Sequence, residues 1–469
     1  MKRLAAQSRD AMSFSLKQYL LPVLILLAVT LPHLEQGDFR RDTVRYGAVG
    51  LHMWRDGSLL VPQLNPEKLY FNKPPMAFWI HGFFLKIFGA NLVAARIPSI
   101  LAAIGVVVLS MLSVRNLGTD REAVVSGIVL ALTYEFFRRT REISLDFWQL
   151  FFVMLAVWLI TMAIREGKRL PVVLCGIPIG LALLCKPLVA LGALPVFAIW
   201  LAMTGRAKLI LWIAFGALPM ALLVAAPWHL YMYSAFGERF TNQYFMHEVV
   251  DRARGSDQAT SVFYYVAQIL QTYWPWMLGL GCAIYFRIRK LPESGARYDF
   301  EMLAAVWVLL WLIALSIFPD RKPNYALPIY PMLAWIVSWG VCRISAPALN
   351  NWYERGFPWL APTAIVLFLV ATLAPLKFQA PPEKNWLALI DWIKANKIDS
   401  AQLAYENIDQ NDVCYVYLKT GRWMQSLSAA QASAHSEKLS VVTKLFGSAQ
   451  PDGDDKVLFA SPPVYVIKR

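Results

Sequence analysis

Long apolar runs separated by more polar segments recur along the chain from its N-terminal region to about residue 376. A helix needs about 20 apolar residues to cross the roughly 30 Å hydrocarbon layer of a membrane. The runs therefore predict about eleven to thirteen transmembrane helices. The spans lie near residues 18–34, 97–114, 122–137, 148–164, 171–185, 188–204, 208–227, 261–286, 301–318, 325–342 and 357–376.

Residues 377–469 follow a different pattern. The segment NWLALIDWIKAN indicates a helix, whereas QLAYENI, VCYVYL, LSVVTKL, KVLFA and VYVIK each have the composition of a short strand. The predicted fold class is an all-α polytopic membrane protein over residues 1–376, followed by a small C-terminal α/β domain over residues 377–469.

Composition excludes a soluble enzyme. Hydrophobic residues make up 57% of the chain and charged residues 16%, and the mean hydropathy is +0.45. Soluble proteins carry about 25% charged residues. The bilayer is therefore the first predicted partner.

Basic residues indicate the orientation in the membrane. With the N-terminus inside, the short cytoplasmic segments carry 17 Lys and Arg against 9 in the short outer loops. The C-terminal domain and the loops 35–96, 138–147, 228–260 and 319–324 then lie on the outer face, the periplasmic side of a bacterial inner membrane. Within the first of these loops, residues 74–89 are apolar but too short to cross, which favours a helix in the interface.

Ionisable residues gather in six segments on this predicted outer face. Each segment has an ordinary explanation, such as a helix cap, a snorkelling lysine or a structural histidine. Together they combine carboxylates with many cations, which suits a lipid-phosphate substrate. The candidates are Asp42, Arg45 and Tyr46; Lys73; Arg141 and Asp146; Lys186; His247; and Arg321 with Tyr325.

The order of these motifs resembles the membrane glycosyltransferases that use polyprenyl-phosphate sugars. These belong to the GT-C superfamily and include protein O-mannosyltransferases and lipid A 4-amino-4-deoxy-L-arabinose transferases. The family patterns DExRYA, YFEKPPLxYW, RxxxxD, a lysine before Gly or Pro, FFxxEHxxxR and SKxxxYxLPxxP are similar to segments here. Those segments begin at Asp42, Tyr70, Arg141, Lys186, Tyr244 and Asp320.

The resemblance implies transfer of a sugar from undecaprenyl phosphate to lipid A, a glycan or a protein, with no nucleic-acid partner. The sugar is an aminopentose such as 4-amino-4-deoxy-L-arabinose, or a hexose. Lys73 and Lys186 would stabilise the phosphate, and Asp42 would act as general base toward a hydroxyl acceptor. Asp146 is the second catalytic candidate. The remaining substrate-binding candidates are Arg45, Tyr46, Arg141, Arg321 and Tyr325.

Two acidic residues of the family pattern are replaced here, and His247 and Glu248 stand in the opposite order to the family's Glu-His. Thr43 replaces a glutamate beside Asp42, and Asn72 replaces the glutamate before Lys73. A neutral amide is a poor ligand for a transition metal, so a metal site that includes His247 is weakened. We therefore expect no tight requirement for a divalent cofactor.

Two alternative functions share part of this pattern. An oligosaccharide ligase or polymerase would use the same carrier lipid. A lipid or sugar transporter would also be polytopic, but transporters favour ionisable residues near the bilayer midplane and internal repeats. Here the charges avoid the centres of the predicted spans and no repeat is evident.

Overall fold

The computed structural model describes most of the membrane region and part of the C-terminal region. The described residues are 16–39, 42–55, 58–251, 261–289, 295–317, 319, 321–344, 360–373, 384–406, 408–426, 439–443, 456–461 and 464–468.

These residues are mostly helical. The helices are α1 (Leu16–Thr30), α2 (Asp42–Arg55), α3 (Met76–Phe88), α4 (Leu92–Leu117), α5 (Asp120–Ala131), α6 (Tyr134–Arg139), α7 (Leu145–Glu166), α8 (Leu170–Leu174), α9 (Gly176–Leu183), α10 (Pro187–Met203), α11 (Lys208–Trp212), α12 (Leu218–Thr241), α13 (Tyr264–Thr272), α14 (Met277–Ile288), α15 (Ala296–Ile317), α16 (Tyr330–Val341), α17 (Leu360–Leu373), α18 (Lys384–Ala395) and α19 (Gln410–Thr420). Turns of π-helix lie at Ile213–Ala217 and Asn242–Asp251, and turns of 3₁₀-helix at Trp274–Trp276, Pro323–Ile329 and Ser400–Gln402.

Four helical stretches are long and apolar enough to cross a membrane among the residues described. They are Leu92–Leu117, Leu145–Glu166, Lys208–Met246 and Tyr298–Ile317. Shorter apolar helices occupy Tyr19–Thr30, Met76–Phe88, Leu170–Leu183 and Ala190–Met203. The chain is a multi-pass helical membrane protein, while the exact number of spans stays a prediction.

Several predicted spans are divided or extended. The predicted span 122–137 consists of α5 and α6, and 261–286 consists of α13 and α14 separated by the turn at Trp274–Trp276. Pro275 in that turn has no N–H for a helical hydrogen bond, which explains the break. The helix that starts at Lys208 instead continues through much of the predicted loop 228–260, with a kink at Gly237 (φ 51°).

The chain divides into two compact units. The first comprises residues 1–33, 72–74 and 99–376. Its core contains the fully buried indoles of Trp200, Trp307 and Trp335. Each indole N–H has an acceptor: Trp335 donates to Ser110 Oγ at 2.7 Å, and the other two donate to backbone carbonyls at 2.9 Å. The polar atoms of these large side chains are therefore satisfied without water.

The second unit comprises residues 34–71, 75–98 and 377–469. Helices α2 and α3 pack closely, because a Cβ added at Gly82 would collide with the Gly50 carbonyl. The hairpin β1 (Gln63–Asn65) and β2 (Lys68–Leu69) is antiparallel. The strands of a separate sheet are β3 (Leu403–Glu406), β4 (Gln425–Ser426), β5 (Leu439–Thr443), β6 (Lys456–Ser461) and β7 (Val464–Lys468). Their order in the sheet is β4-β3-β5-β7-β6.

This sheet pairs β3 in parallel with β4 and β5, whereas β7 is antiparallel to both β5 and β6. The predicted strands near 402–408, 439–445, 456–460 and 464–468 are thus present. The predicted helix at NWLALIDWIKAN corresponds to α18. The short apolar helix predicted within 74–89 is α3.

The prediction of a strand at VCYVYL is wrong, because these residues form the centre of α19. The Asp409 side chain accepts the backbone N–H of Asn411 at 2.7 Å and so caps the helix start. Gly421 ends the helix in the left-handed region, at φ 79°. Val413–Leu418 are all buried. The caps at Asp409 and Gly421, together with burial of every side of the helix centre, outweigh the strand preference of valine and tyrosine.

A buried carboxylate joins the segment before α2 to α19 within this unit. Asp38 Oδ2 accepts the Tyr415 hydroxyl at 2.5 Å, and Oδ1 lies 2.9 Å from Lys419 Nζ. The Asp38 side chain is only 4% exposed. Oδ1 also accepts the backbone N–H of Phe39 at 2.8 Å. Such a carboxylate is stabilising only while its partners remain in place.

We expect Asp38→Ala to destabilise the second unit by about 3 kcal/mol, because it leaves the Lys419 ammonium and the Tyr415 hydroxyl without their acceptor. Thermal unfolding of the detergent-purified protein measures this. Asp391→Ala, an exposed aspartate on α18, is the matched control and should unfold like wild type. Equal melting temperatures for the two variants would contradict the prediction.

Candidate active site

The first unit brings Asp146 and Lys186 into a direct ion pair. Asp146 lies in the first turn of α7, where the Ser144 side chain accepts the backbone N–H of Phe147 at 3.4 Å. Lys186 lies between α9 and α10 with an extended backbone (φ −163°, ψ 107°). Pro187 favours that conformation, since proline disfavours a helical residue before it. Lys186 Nζ is 2.8 Å from Asp146 Oδ1.

Helix α7 also holds the backbone of this lysine. Gln149 Nε2 donates to the Lys186 carbonyl, and Gln149 is buried at 1% exposure. Asp146 and Gln149 are three residues apart, so they share one face of the helix. One helix face therefore fixes both the main chain and the ammonium group of Lys186.

Two consecutive residues of the turn Pro323–Ile329 complete the arrangement. Asn324 Nδ2 donates to Asp146 Oδ2 at 2.9 Å. Lys186 Nζ lies 4.4 Å from the ring centroid of Tyr325, a cation–π distance. We call Asp146, Lys186, Asn324 and Tyr325 the Asp146 cluster. Asp146, Lys186 and Tyr325 are candidates predicted from the sequence, and the structure brings these three together.

Asn324 was missed because an asparagine beside proline in a loop carries no chemical signature of its own. Its contact with Asp146 joins residues that are 178 positions apart. The only available signal was its position immediately before Tyr325, a selected residue.

A second network lies next to the cluster on α6 and the turn after it. Glu135 Oε2 accepts from Arg138 Nη2 at 3.0 Å and from Arg139 Nε at 3.1 Å. Both arginines also lie 3.4 Å from Glu142. Arg139 is close enough to Asp146 to interact with it electrostatically. Arg139 is not among the candidates predicted from the sequence.

The contacts of Arg141, which was selected, favour a structural role over phosphate binding. Its guanidinium is nearly buried and donates to backbone carbonyls of Val29, Pro32 and His33, at and beyond the end of α1. Cations at a helix C-terminus satisfy carbonyls that have no partner within the helix. Arg141 therefore fastens the end of α1. Arg321 similarly donates to the Ser316 carbonyl at 2.8 Å, near the end of α15.

Lys73 belongs to the first unit and is 6% exposed. Asn72 Oδ1, beside it, accepts from Gln243 Nε2 at 3.0 Å. Gln243 lies in the π-helical turn Asn242–Asp251, which also contains His247. The His247 side chain is outside the described part of the structure. Within that part no group of three or more His, Cys, Asp and Glu side chains is arranged to hold a metal.

The second unit contains the other selected acid. Asp42 opens α2 and pairs with Arg45, one turn later. The two side chains are 52% and 35% exposed, and an ion pair this exposed contributes little to stability. The Tyr46 ring packs 5.8 Å from the ring of Phe78. Asp42 is thus a solvent-exposed carboxylate at a helix start.

Comparisons with known proteins find a mannosyltransferase family model and an arabinosyl transferase that this chain resembles. The family model for dolichyl-phosphate-mannose-protein mannosyltransferase matches residues 72–231. An uncharacterised protein of Aquifex aeolicus is 28% identical over 369 residues, 77% of this chain and 70% of that protein. The undecaprenyl phosphate-alpha-4-amino-4-deoxy-L-arabinose arabinosyl transferase of Enterobacter sp. (strain 638) is 27% identical, with 75% of this chain and 65% of the relative aligned.

Solved structures show the fold. ArnT from Cupriavidus metallidurans, bound to undecaprenyl phosphate, matches with a TM-score of 0.72 at 17% identity, covering 96% of both chains. The Archaeoglobus fulgidus oligosaccharyltransferase matches with a TM-score of 0.55 at 13% identity, covering 90% of this chain and 65% of that one. This chain has the same fold as these two structures. The predicted resemblance to polyprenyl-phosphate glycosyltransferases is confirmed.

The matched mannosyltransferase family model covers only part of the candidate site. Lys73, Asp146 and Lys186 lie inside the matched residues 72–231, whereas Asp42 and the turn that carries Asn324 and Tyr325 lie outside them. The alignment with the Enterobacter arabinosyl transferase likewise spans just under two thirds of that enzyme.

Proposed function

We propose that this protein transfers a sugar from undecaprenyl phosphate to lipid A or another cell-envelope acceptor. The observation that carries the proposal is the Asp146 cluster, which holds an ammonium group in a fixed position within a GT-C fold. A preorganised cation stabilises the negative charge that a departing lipid phosphate gains. The names of the aligned relatives supply the donor, and an aminopentose such as 4-amino-4-deoxy-L-arabinose is the proposed sugar.

In the proposed reaction an acceptor oxygen attacks the anomeric carbon of the sugar. The bond from that carbon to the phosphate oxygen breaks, and undecaprenyl phosphate leaves with the bonding electrons. Attack opposite the leaving group inverts the anomeric carbon. Lys186 and Lys73 would neutralise the phosphate, with Arg321 as a weaker candidate.

Two carboxylates take different parts in this proposal. Asp42 would remove the proton of a hydroxyl acceptor, a task that requires an accessible carboxylate. A lipid A phosphate is already an anion, so with that acceptor Asp42 would instead orient the sugar, alongside Arg45 and Tyr46. Asp146, bound to Lys186 and Asn324, would hold the phosphate-binding lysine.

We place the protein in the bacterial inner membrane with its N-terminus in the cytoplasm and residues 377–469 in the periplasm. The excess of basic residues in the short cytoplasmic segments supports this orientation. The donor and acceptor would then meet at the periplasmic face.

We further propose that no tightly bound metal is required. Asn72 Oδ1 accepts a hydrogen bond from Gln243, and an amide oxygen is a weak ligand for transition metals. The lysines would then supply the positive charge without a metal.

The direct test is transfer by the purified protein. Undecaprenyl-phosphate-linked 4-amino-4-deoxy-L-arabinose is incubated with lipid A, and the product is analysed by mass spectrometry. A single added aminopentose is expected. A product carrying many sugars would favour an oligosaccharide ligase or polymerase, and loss of donor from one membrane face without a new glycoside would favour a transporter.

Lys73→Ala and Lys186→Ala should each lower kcat/KM by about 100-fold or more, because each removes a cation from the departing phosphate. Lys→Arg should restore activity only in part, since a planar guanidinium presents its donors differently from an ammonium. The control is Lys168→Ala, a lysine 68% exposed and paired with Glu166. The assignment is wrong if both alanine variants bind undecaprenyl phosphate as tightly as wild type.

Asp42→Asn should lower transfer to a hydroxyl acceptor by at least about 100-fold, because the amide cannot accept the proton. Folding should be retained, since the carboxylate is exposed. Asp391→Asn provides a control for a surface aspartate. Activity above about a tenth of wild type would remove Asp42 from the role of base.

Treatment with EDTA should leave most of the transfer activity. Wild-type protein is assayed before and after chelation, and again after addition of Mg²⁺, Mn²⁺ or Zn²⁺. Activity that disappears with the chelator and returns with one of these ions would show that a metal takes part in the reaction.

A further inference from the structure

The Asp146 carboxylate is bound on both of its oxygens by side chains from two other parts of the chain. Lys186 Nζ lies 2.8 Å from Oδ1, and Asn324 Nδ2 lies 2.9 Å from Oδ2. The Asp146 side chain is 19% exposed and that of Lys186 is 15% exposed. At this exposure water competes little for either oxygen, so these two contacts determine how the carboxylate is turned.

The orientation of this carboxylate determines where the Lys186 ammonium lies. A carboxylate bonded at one oxygen only can rotate about its terminal torsion, which is broad and has no sharp minima. A bond to each oxygen removes that freedom. The ammonium then stays between Asp146 and the Tyr325 ring, which is 4.4 Å from Nζ.

Asn324 and Tyr325 are neighbours in the 3₁₀-helical turn Pro323–Ile329, so one short segment contacts both members of the ion pair. Asn324 contacts the carboxylate and Tyr325 contacts the ammonium. The N–H group of asparagine is essential to this arrangement, because a carboxylate accepts hydrogen bonds and does not donate them.

We propose that Asn324 is a positioning residue for sugar transfer: it orients Asp146, and through Asp146 it holds Lys186 where the donor phosphate binds. The inference rests on the proposed function, since it assigns the phosphate of the lipid donor to Lys186. It extends that function to a residue outside the matched family model.

A double-mutant cycle on binding of undecaprenyl phosphate tests this proposal. Asn324→Ala and Asp146→Ala should each weaken binding by about 10-fold. The double variant should bind no more than about twofold more weakly than Asp146→Ala, because Asn324 acts only through that carboxylate. A full additional loss in the double variant would mean that Asn324 acts independently of Asp146, which overturns the proposal.

Asn324→Asp provides a second variant of nearly the same size. It places a carboxylate against Asp146 Oδ2, beside the cations Lys186 and Arg139. An ionised carboxylate has no N–H to donate, and it repels the Asp146 carboxylate. Asn324→Asp should therefore weaken binding at neutral pH by at least as much as Asn324→Ala, and a Kd equal to that of wild type contradicts the proposal.

Asn116→Ala is the matched control. Asn116 Nδ2 donates to Thr161 Oγ1 at 3.1 Å, so the substitution removes an asparagine contact to the opposite end of the same helix, α7. It should leave the Kd unchanged, and an equal effect from both alanine variants would indicate general loosening of α7 and overturn the proposal.

Wild-type protein that does not bind undecaprenyl phosphate would instead refute the proposed function. Wild-type binding with an unaltered Kd in Asn324→Ala refutes the positioning role alone.

Discussion

The ion pair between Asp146 and Lys186 is the interaction on which the candidate site in the first unit depends. Bringing two charges out of water is costly, and their attraction compensates only when further hydrogen bonds satisfy the remaining atoms. Asn324 supplies the bond to the second carboxylate oxygen, and Tyr325 lies against the ammonium. The pair therefore requires α7, the junction of α9 and α10, and the turn at Pro323–Ile329 to be in place together.

Two prolines fix the backbone conformation of segments that contribute to this site. Lys186 precedes Pro187 and Lys322 precedes Pro323, and both lysines have an extended backbone. In each case a helical segment starts at the proline, where the missing N–H costs nothing. The chain therefore reaches the cluster with a fixed direction before any substrate binds. Preorganisation of this kind is what allows a single ammonium group to stabilise developing charge effectively.

Features that depend on residue type and local pattern could be predicted from the sequence. Features that depend on contacts with distant parts of the chain could not. The short helix α3 and the strands β5, β6 and β7 followed from local pattern, and Asp146, Lys186 and Tyr325 from their motifs. The segment at α19 has strand-like residues, but its cap at Asp409 and burial on all sides made it a helix.

The cluster of arginines at 138–141 shows the same limit within the site. Arg138, Arg139 and Arg141 are all positively charged and near Asp146 in sequence. They differ in their partners, because only Arg141 contacts the end of α1. Arg141 donates to the carbonyls that follow α1. Arg139 instead forms an ion pair with Glu135 and interacts electrostatically with Asp146. No local rule distinguishes residues two positions apart when the decisive partners lie about 100 residues away.

The same reasoning separates the two carboxylates that the sequence offered as catalytic candidates. A general base must reach the acceptor and exchange its proton with solvent, and a carboxylate bound on both oxygens does this poorly. Asp146 is bound in that way, so its surroundings favour a fixed negative charge that holds a cation. Asp42 is half exposed and pairs with Arg45, which is itself partly exposed, so the carboxylate stays accessible. The two residues are of the same type, but their burial and the number of groups bound to each carboxylate differ. These differences favour electrostatic positioning of Lys186 by Asp146 and proton transfer by Asp42.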